Sequence, residues 1–210
     1  MIGIREVRKM TLSELERQQE IRFPQAFHRI YNSGAMKWLE LSREELKARI
    51  KEYVSDTAAF LMLDCDCEMY LFEEVQSAAE ELAQLSQWQE EDKKLRIKDG
   101  LRIVPFGHSG GGDIYCLLYT PENAEPMVIR YFHDSYEAPQ IMGRDFDEFL
   151  YIQLLLAAEN EQDVEEENFR NNAAYLSEKY HPMVEGKSAD ELTDALYAMV
   201  FSPADIFERL

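Results

Sequence analysis

The sequence has few cysteines, no long hydrophobic run and few basic side chains for its length. Its three cysteines, Cys65, Cys67 and Cys116, are an odd number and too few for a disulfide framework, so we expect reduced thiols. The longest unbroken apolar run, residues 195–201, is far shorter than the roughly 20 residues that cross a bilayer. No apolar segment follows the charged residues 5–9, and we therefore expect no secretory signal and a cytoplasmic location.

Basic groups are scarce, since 22 Lys and Arg stand against 41 Asp and Glu, which gives a net charge of −19 in 210 residues. Such a surplus repels nucleic-acid backbones and anionic membranes, and we expect neither as a partner. Residues 1–55 carry 11 basic and 8 acidic groups, residues 56–154 carry 7 and 20, and residues 155–210 carry 4 and 13. The acidic part is either a solvated surface that keeps the chain soluble or a docking face for a basic protein.

Helix-start signals recur along the chain. In a capping box, a Ser or Thr side chain and a Glu three residues later bind each other's backbone amides. Three such boxes begin at Thr11, Ser42 and Ser188. Pro24 and Asp145 predict two more helix starts, because proline suits the first turn of a helix and aspartate suits the cap. The apolar spacing predicts a long amphipathic helix over residues 73–92, and Ser202-Pro203 predicts a last short helix.

Strand signals occupy the middle of the chain. Apolar and polar residues alternate over 61–71, which predicts a strand with one buried face, although the flanking residues favour a helix and leave that alternative open. Three further strands are predicted over residues 101–106, 113–119 and 127–132. A glycine-rich loop and a turn connect these three in sequence, so they should form an antiparallel meander.

These elements predict an α+β fold, with a mostly antiparallel sheet flanked by helices. We expect one domain over residues 1–154 and an acidic helical extension over residues 155–210 that packs on it or beside it. The 46 % of hydrophobic residues can fill a core of ordinary size. The oligomeric state stays open at this point.

The glycine-rich loop invites a phosphate-binding interpretation. Phosphate loops, however, lead into a helix and are followed by a lysine. Here Gly110, Gly111 and Gly112 lead into a strand, and Asp113 stands where a lysine would help. We therefore interpret the glycines as turn residues and expect Asp113 to bind backbone amides of its own turn. Ser109 has no identifiable base beside it, so nucleophilic catalysis has little support.

Two metal-site hypotheses involve His and Cys residues. A metal-dependent phosphohydrolase, which we keep as an alternative, would take its ligands from His108, Asp113, His133 and Asp134. The three cysteines do not have the two-residue spacing of structural zinc sites, so we expect thiols buried in the core.

Asp64, Asp66 and Glu68 have the spacing of the first ligands of a calcium loop. Met69 and Val75 stand where that loop needs glycine and glutamate, so the calcium interpretation fails. On a strand, the three carboxylates would lie on one sheet face about 7 Å apart and repel one another unless a basic partner is near. We interpret them as a docking patch, with a solvated strand face as the alternative.

Four segments resemble, in order, the signature elements of the SUKH superfamily, of the Smi/Knr type. They are the Phe-Pro to Asn-Ser-Gly segment 23–34, the Pro-Phe-Gly, glycine and Gly-Asp segment 101–117, the Val-rich strand and His-Asp step 128–134, and the closing helix 145–150. The resemblance covers about residues 12–150, with Ser33 where the family has a glycine. It implies an α+β fold and a non-enzymatic role in protein binding, and we expect no cofactor.

The resemblance implies two biological roles. Bacterial members commonly neutralise a toxin as immunity proteins, and the fungal relatives regulate cell-wall synthesis. We expect the first role, with a basic toxin or effector domain as the partner, and keep a regulatory scaffold as the alternative. The expected contact residues are Asp64, Asp66, Glu68, Gly110, Gly111, Gly112, Asp113, His133, Asp134 and Tyr136.

Overall fold

The computed structural model describes residues 9–55, 60, 67–93, 95–134, 138–160 and 166–209. The helices in these ranges are α1 (Leu12–Gln19), α2 (Gln25–Ser33), α3 (Arg43–Ser55), α4 (Val75–Lys93), α5 (Phe146–Glu159), α6 (Glu167–Ala173), α7 (His181–Val184) and α8 (Ala189–Tyr197). The strands are β1 (Glu68–Met69), β2 (Leu95–Ile97), β3 (Arg102–His108), β4 (Ile114–Tyr119), β5 (Met127–Tyr131), β6 (Gln140–Gly143) and β7 (Phe207–Arg209). This arrangement confirms the predicted α+β class.

The predicted helix boundaries are confirmed where caps define them. Both bonds of the capping box form at Thr11, whose Oγ1 accepts from the Glu14 amide at 3.3 Å while the Glu14 carboxylate accepts from the Thr11 amide at 3.1 Å. The boxes at Ser42 and Ser188 form in the same way. Gly34 ends α2 with φ +96°, a left-handed conformation that glycine adopts without strain.

The main sheet has the strand order β1-β3-β4-β5-β6, and every pair in it is antiparallel. The predicted meander is therefore confirmed, and β6 extends it. In the described part of the predicted alternating segment, residues 67–71, strand β1 comprises only Glu68 and Met69, so the predicted strand is longer than the observed one at its C-terminal end, and residues 61–66 lie outside the described part of the chain. Within that strand Glu68 is exposed, and the adjacent Cys67 is buried, as the alternation predicts.

One face of the sheet carries a cluster of aromatic rings. The ring of Phe106 on β3 lies 5.6 Å from Phe146 and 5.5 Å from Phe149, both on α5. Phe27 on α2 lies 5.5 Å from Phe146, and Tyr115 on β4 lies 5.8 Å from Phe149. Such pairs are edge-on or tilted, as aromatic rings prefer. The cluster joins α2, β3, β4 and α5.

The other face of the sheet is also covered. Its apolar side chains are Ile114, Cys116, Leu118, Ile129 and Tyr131, which form a second core with Leu82, Ala204 and Ile206. Strand β4 is therefore buried on both faces. Buried and exposed side chains do not alternate along it as they do in a strand with one solvent-exposed face. Helix α4 and the end of the chain supply this cover.

The expectation of a helix at Ser202-Pro203 is wrong. Residues 202–206, here called the C-terminal strap, are extended: the Ile141 amide donates to the Ser202 carbonyl at 2.8 Å, and Pro203 forms a bridge with Gln140. Beyond the strap, β7 pairs with β2. Proline tolerates the edge of a sheet, and Ala204 and Ile206 point inward with the period of a strand.

Candidate functional site

The glycine turn, residues 109–113, connects β3 to β4 and uses its own polar groups to hold its shape. The Ser109 amide donates to the Asp113 carbonyl at 2.8 Å, the Gly112 amide donates to the Ser109 carbonyl at 3.1 Å, and the Asp113 amide donates to Ser109 Oγ at 3.0 Å. Gly112 has φ +98°, and a Cβ there would lie 3.4 Å from the ring of His133. Ser109, the serine considered for nucleophilic catalysis, is thus buried inside a closed turn.

The carboxylate of Asp113 reaches across to β5. Its Oδ2 accepts from Arg130 Nε at 2.8 Å and lies 2.7 Å from Arg130 Nη2. Its Oδ1 accepts from the His133 backbone amide at 3.2 Å and lies 3.0 Å from His133 Nδ1. The expectation that Asp113 binds amides of its own turn is wrong, because the pairing of Ile114 with Tyr131 places Asp113 beside the end of β5.

These contacts set the protonation states of the pair. Burial alone would raise the pKa of Asp113, whose side chain is only 10 % exposed, but hydrogen bonds from His133 and Arg130 outweigh burial and hold that pKa below its usual value. The hydrogen bond to the Asp113 carboxylate raises the pKa of His133. Asp113 is therefore a charged acceptor with basic donors on both oxygens.

The four residues of the phosphohydrolase hypothesis are not all brought together. Asp113, His133 and Asp134 offer ligand atoms within 4.8 Å of one another. His108 lies elsewhere, with Nε2 at 3.8 Å from the Glu68 carboxylate and its ring 5.0 Å from that of Tyr70. A cation at the remaining three would have to compete with the guanidinium of Arg130 for Asp113.

The predicted contact residues are distributed unevenly in depth. Gly110 and Gly111 are exposed at the tip of the turn, and the side chains of Glu68 and Asp134 are 68 % and 76 % exposed. Asp113 is buried beneath them. Three further predicted contacts, Asp64, Asp66 and Tyr136, lie outside the described residues, so the three-carboxylate patch stays a prediction.

The cysteines agree with the expectation of core thiols as far as they are described. Cys67 and Cys116 are both buried. Burial raises the pKa of the Cys116 thiol, which keeps it protonated and unreactive. Cys65 lies outside the described residues.

The sequence analysis did not anticipate a cleft between α3 and β1. This α3–β1 cleft has a volume of about 190 Å³ and lies beside His108, close to the glycine turn. Its apolar lining comprises Trp38, Leu46, Ile50, Tyr53, Met69 and Leu71, together with the buried Cys67. The spacing of Leu46, Ile50 and Tyr53, four and then three residues apart, is the available signal, since it marks one apolar face of α3.

The architecture defines an α+β domain in which helices cover both faces of an antiparallel sheet. Among known families, the model of the SMI1/KNR4 family (SUKH-1) matches residues 7–152, and the chain belongs to this family. The predicted resemblance is thereby confirmed. Proteins of this family are generally non-catalytic binding domains. Comparisons with curated proteins and with solved structures gave no significant match.

The elements that carry the family signature meet in the first core. Phe27, Phe106 and Phe146 belong to three different signature segments, and the ring of Phe146 contacts the rings of the other two. Gly107 of the Pro-Phe-Gly step lies against β1, where an added Cβ would be 2.8 Å from the Glu68 carbonyl oxygen. Within the described ranges, no helix is long and apolar enough to span a membrane.

Proposed function

We propose that this chain is a non-enzymatic protein-binding module, and that it acts as an immunity protein which neutralises a basic toxin domain by direct binding. The observation that carries the proposal is the internal pairing of the glycine turn, in which Asp113 binds Arg130 and His133. Family membership supports a binding role in general. The net charge of −19 favours a basic partner.

The turn is poorly arranged for catalysis. A general base or metal ligand needs a lone pair directed at a substrate or an ion, but both oxygens of Asp113 face donors of the protein. The Oγ atom of Ser109 accepts the amide of Asp113 and lies in the interior. These groups stabilise the turn.

The proposed contact surface surrounds the turn. Glu68 on β1 and Asp134 after β5 expose their carboxylates, and Gly110 and Gly111 expose backbone without side chains. Asp113 supports this surface from below. Exposed carboxylates raise the rate at which a basic partner associates, and dissolved salt screens that attraction.

The proposal is tested with the proteins encoded next to this gene. Each is expressed with the chain, complexes are isolated by size-exclusion chromatography, and association rates are measured by stopped flow between about 20 and 300 mM salt, over which the Debye length falls steeply. We expect one stable complex, an association rate that falls about tenfold with salt, and restored growth of cells that express the partner. A rate that does not change with salt would contradict the electrostatic part of the proposal.

Matched variants locate the surface. Glu68→Gln and Asp134→Asn should each slow association several-fold. Glu122→Gln is the control, because Glu122 is exposed in the turn between β4 and β5, at the opposite end of the sheet. A stable complex that inhibits no toxic activity supports the regulatory scaffold instead, and the absence of any complex with a neighbouring product contradicts the immunity role.

A further inference from the structure

Helix α3 leaves an apolar face uncovered. Leu46, Ile50 and Tyr53 line the α3–β1 cleft from one side, and none of the three is buried. Ile50 is 44 % exposed, one of the large hydrophobic side chains that the fold leaves in contact with water. An amphipathic helix normally buries its apolar face, and exposed apolar patches in proteins are often interaction sites.

The opposite side of the cleft is formed by buried, well-packed side chains. Trp38 and Leu71 are buried at its base, and the Trp38 indole N–H donates to the Phe60 carbonyl at 3.0 Å, which fixes the ring. Met69 of β1 completes the wall and is only partly buried. A pocket with a rigid base and a partly exposed apolar side suits a single inserted side chain. Its own side chains are already ordered, so binding costs little conformational entropy.

The charged rim of the cleft favours a basic partner. Arg43 lies 2.5 Å from the Glu74 carboxylate and donates its backbone amide to Glu73 at 3.0 Å, so its charge is already compensated. Glu68 exposes its carboxylate at the same rim, with His108 at 3.8 Å as the basic group that the structure places beside it. Because Arg43 and Glu74 pair with each other, the exposed carboxylate of Glu68 is the charge of the described lining that a partner meets, next to His108.

We propose that the α3–β1 cleft binds one aliphatic side chain of a partner protein, on a segment in which Lys or Arg residues flank that side chain. An apolar anchor in a pocket with charges at its rim is the common form of an energetic hot spot in protein interfaces. The inference rests on the proposed function and deepens it, since it names the anchor and the charge of the partner segment. The apolar lining selects the anchor, and Glu68 selects its basic neighbours.

The test uses short acetylated and amidated peptides as probes. The first has the sequence Lys-Lys-Leu-Lys-Lys, the second replaces its leucine by serine, and the third replaces its lysines by glutamates. Binding is followed in the full chain by NMR of the methyl groups of Leu46 and Ile50. We expect saturable shifts at both residues with the first peptide, and binding at least fivefold weaker with the second and the third.

Two protein variants complete the design. Ile50→Ser should weaken the first peptide at least tenfold, whereas Met183→Ser, which alters an equally exposed side chain that does not line the cleft, should leave it unchanged. Glu68→Gln should weaken the lysine peptide and leave the glutamate peptide unaffected or slightly better bound.

Three results would overturn the inference: no shift at Leu46 or Ile50, equal binding of the leucine and serine peptides, or equal effects of Ile50→Ser and Met183→Ser. Its failure is separable from failure of the proposed function. A stable complex with a neighbouring gene product that Ile50→Ser leaves intact would retain the function and reject the cleft. Conversely, the peptide experiment tests the α3–β1 cleft even where no neighbouring gene product binds the chain.

Discussion

The glycine turn and the α3–β1 cleft lie on either side of His108 and are built in opposite ways. In the turn, the amides, Ser109 Oγ and the Asp113 carboxylate bind groups of the same protein. In the cleft, Ile50 is left in water beside an exposed carboxylate of Glu68. These polar groups of the turn bond to other groups of the protein, whereas the cleft exposes apolar and charged surface to solvent.

The segment with the most distinctive sequence is not the segment that forms the exposed apolar cleft. The turn attracts attention because glycines, His and Asp stand close together in the sequence, yet these residues connect two strands and fix β4 to the end of β5. The cleft has no motif beyond an ordinary amphipathic helix. A dense motif can therefore record what a fold needs in order to form, while the proposed anchor site consists of plain apolar residues nearby.

The largest effect is expected at the second face of the sheet, which supports β4 beneath the glycine turn. The C-terminal strap covers this face, since its Ile206 is 1 % exposed and packs in the second core. Ile206→Ala should lower the free energy of unfolding by about 2–5 kcal/mol, measured by urea denaturation. Val200→Ala, at an 89 % exposed position, is the matched control and should change little. Equal small effects would mean that the C-terminal segment only rests on the sheet.

The next effect concerns the turn itself. Asp113→Ala leaves Arg130 and His133 without their acceptor, and breaking a buried ion pair from one side costs about 3 kcal/mol. Urea denaturation should show a loss of that order. Asp134→Ala, three residues beyond the end of β5 and well exposed, should stay within about 0.5 kcal/mol of the wild type. A neutral Asp113→Ala would mean that the turn is not a structural element.

A smaller effect separates the glycines from one another. Gly112→Ala places a side chain at φ +98° and against His133, and should destabilise the protein by about 1–2 kcal/mol. Gly110→Ala should be neutral or slightly stabilising, because Gly110 does not have a positive φ and a Cβ there meets nothing within 4 Å. Thermal denaturation of the two variants gives the comparison, and the reverse order would contradict the assigned roles.

The smallest effect is the pH dependence contributed by His133. Because its pKa is raised in the folded protein, its bond to Asp113 contributes full stability below the unfolded pKa of about 6.5, and the contribution is lost as pH rises through the folded pKa. The free energy of unfolding of the wild type should therefore decrease more between pH 6 and 8 than that of His133→Gln. An NMR titration should give His133 a pKa above about 6.5. Identical pH profiles would show that the bond to Asp113 favours neither form of the ring.

Local chemistry explains what the sequence could predict. Thr11 with Glu14 and Ser188 with Glu191 act over three residues, so the caps were predictable, and the apolar runs of β3 and β4 between turn residues were equally local. The partners of Asp113 were not predictable, because Arg130 and His133 approach it only after β4 and β5 pair in register. The period of two that Ala204 and Ile206 follow was obscured by Pro203, which also suits a helix start.

The features that the sequence did not predict depend on long-range strand pairing and on burial in the folded chain. Strands β2 and β7 are three residues each and lie at distant points of the sequence, so neither has a signal until the other is beside it. The α3–β1 cleft depends on how α3 and β1 are held relative to each other, which no pattern within Arg43–Ser55 reveals. The same limit applies to its role, since exposure of Ile50 is a property of the folded chain.

The most direct test of whether the glycine turn is a structural element or a metal-dependent catalytic site is the melting temperature with and without a divalent cation. Wild type and Asp113→Asn are heated in EDTA and in 1 mM Mg²⁺ or Mn²⁺. A catalytic cation bound at one hundred times its dissociation constant would stabilise the fold by about 2.7 kcal/mol, which corresponds to roughly 5–10 °C for a chain of this size. The account predicts a shift below about 1 °C in both proteins. A shift of several degrees in the wild type that Asp113→Asn abolishes would contradict it.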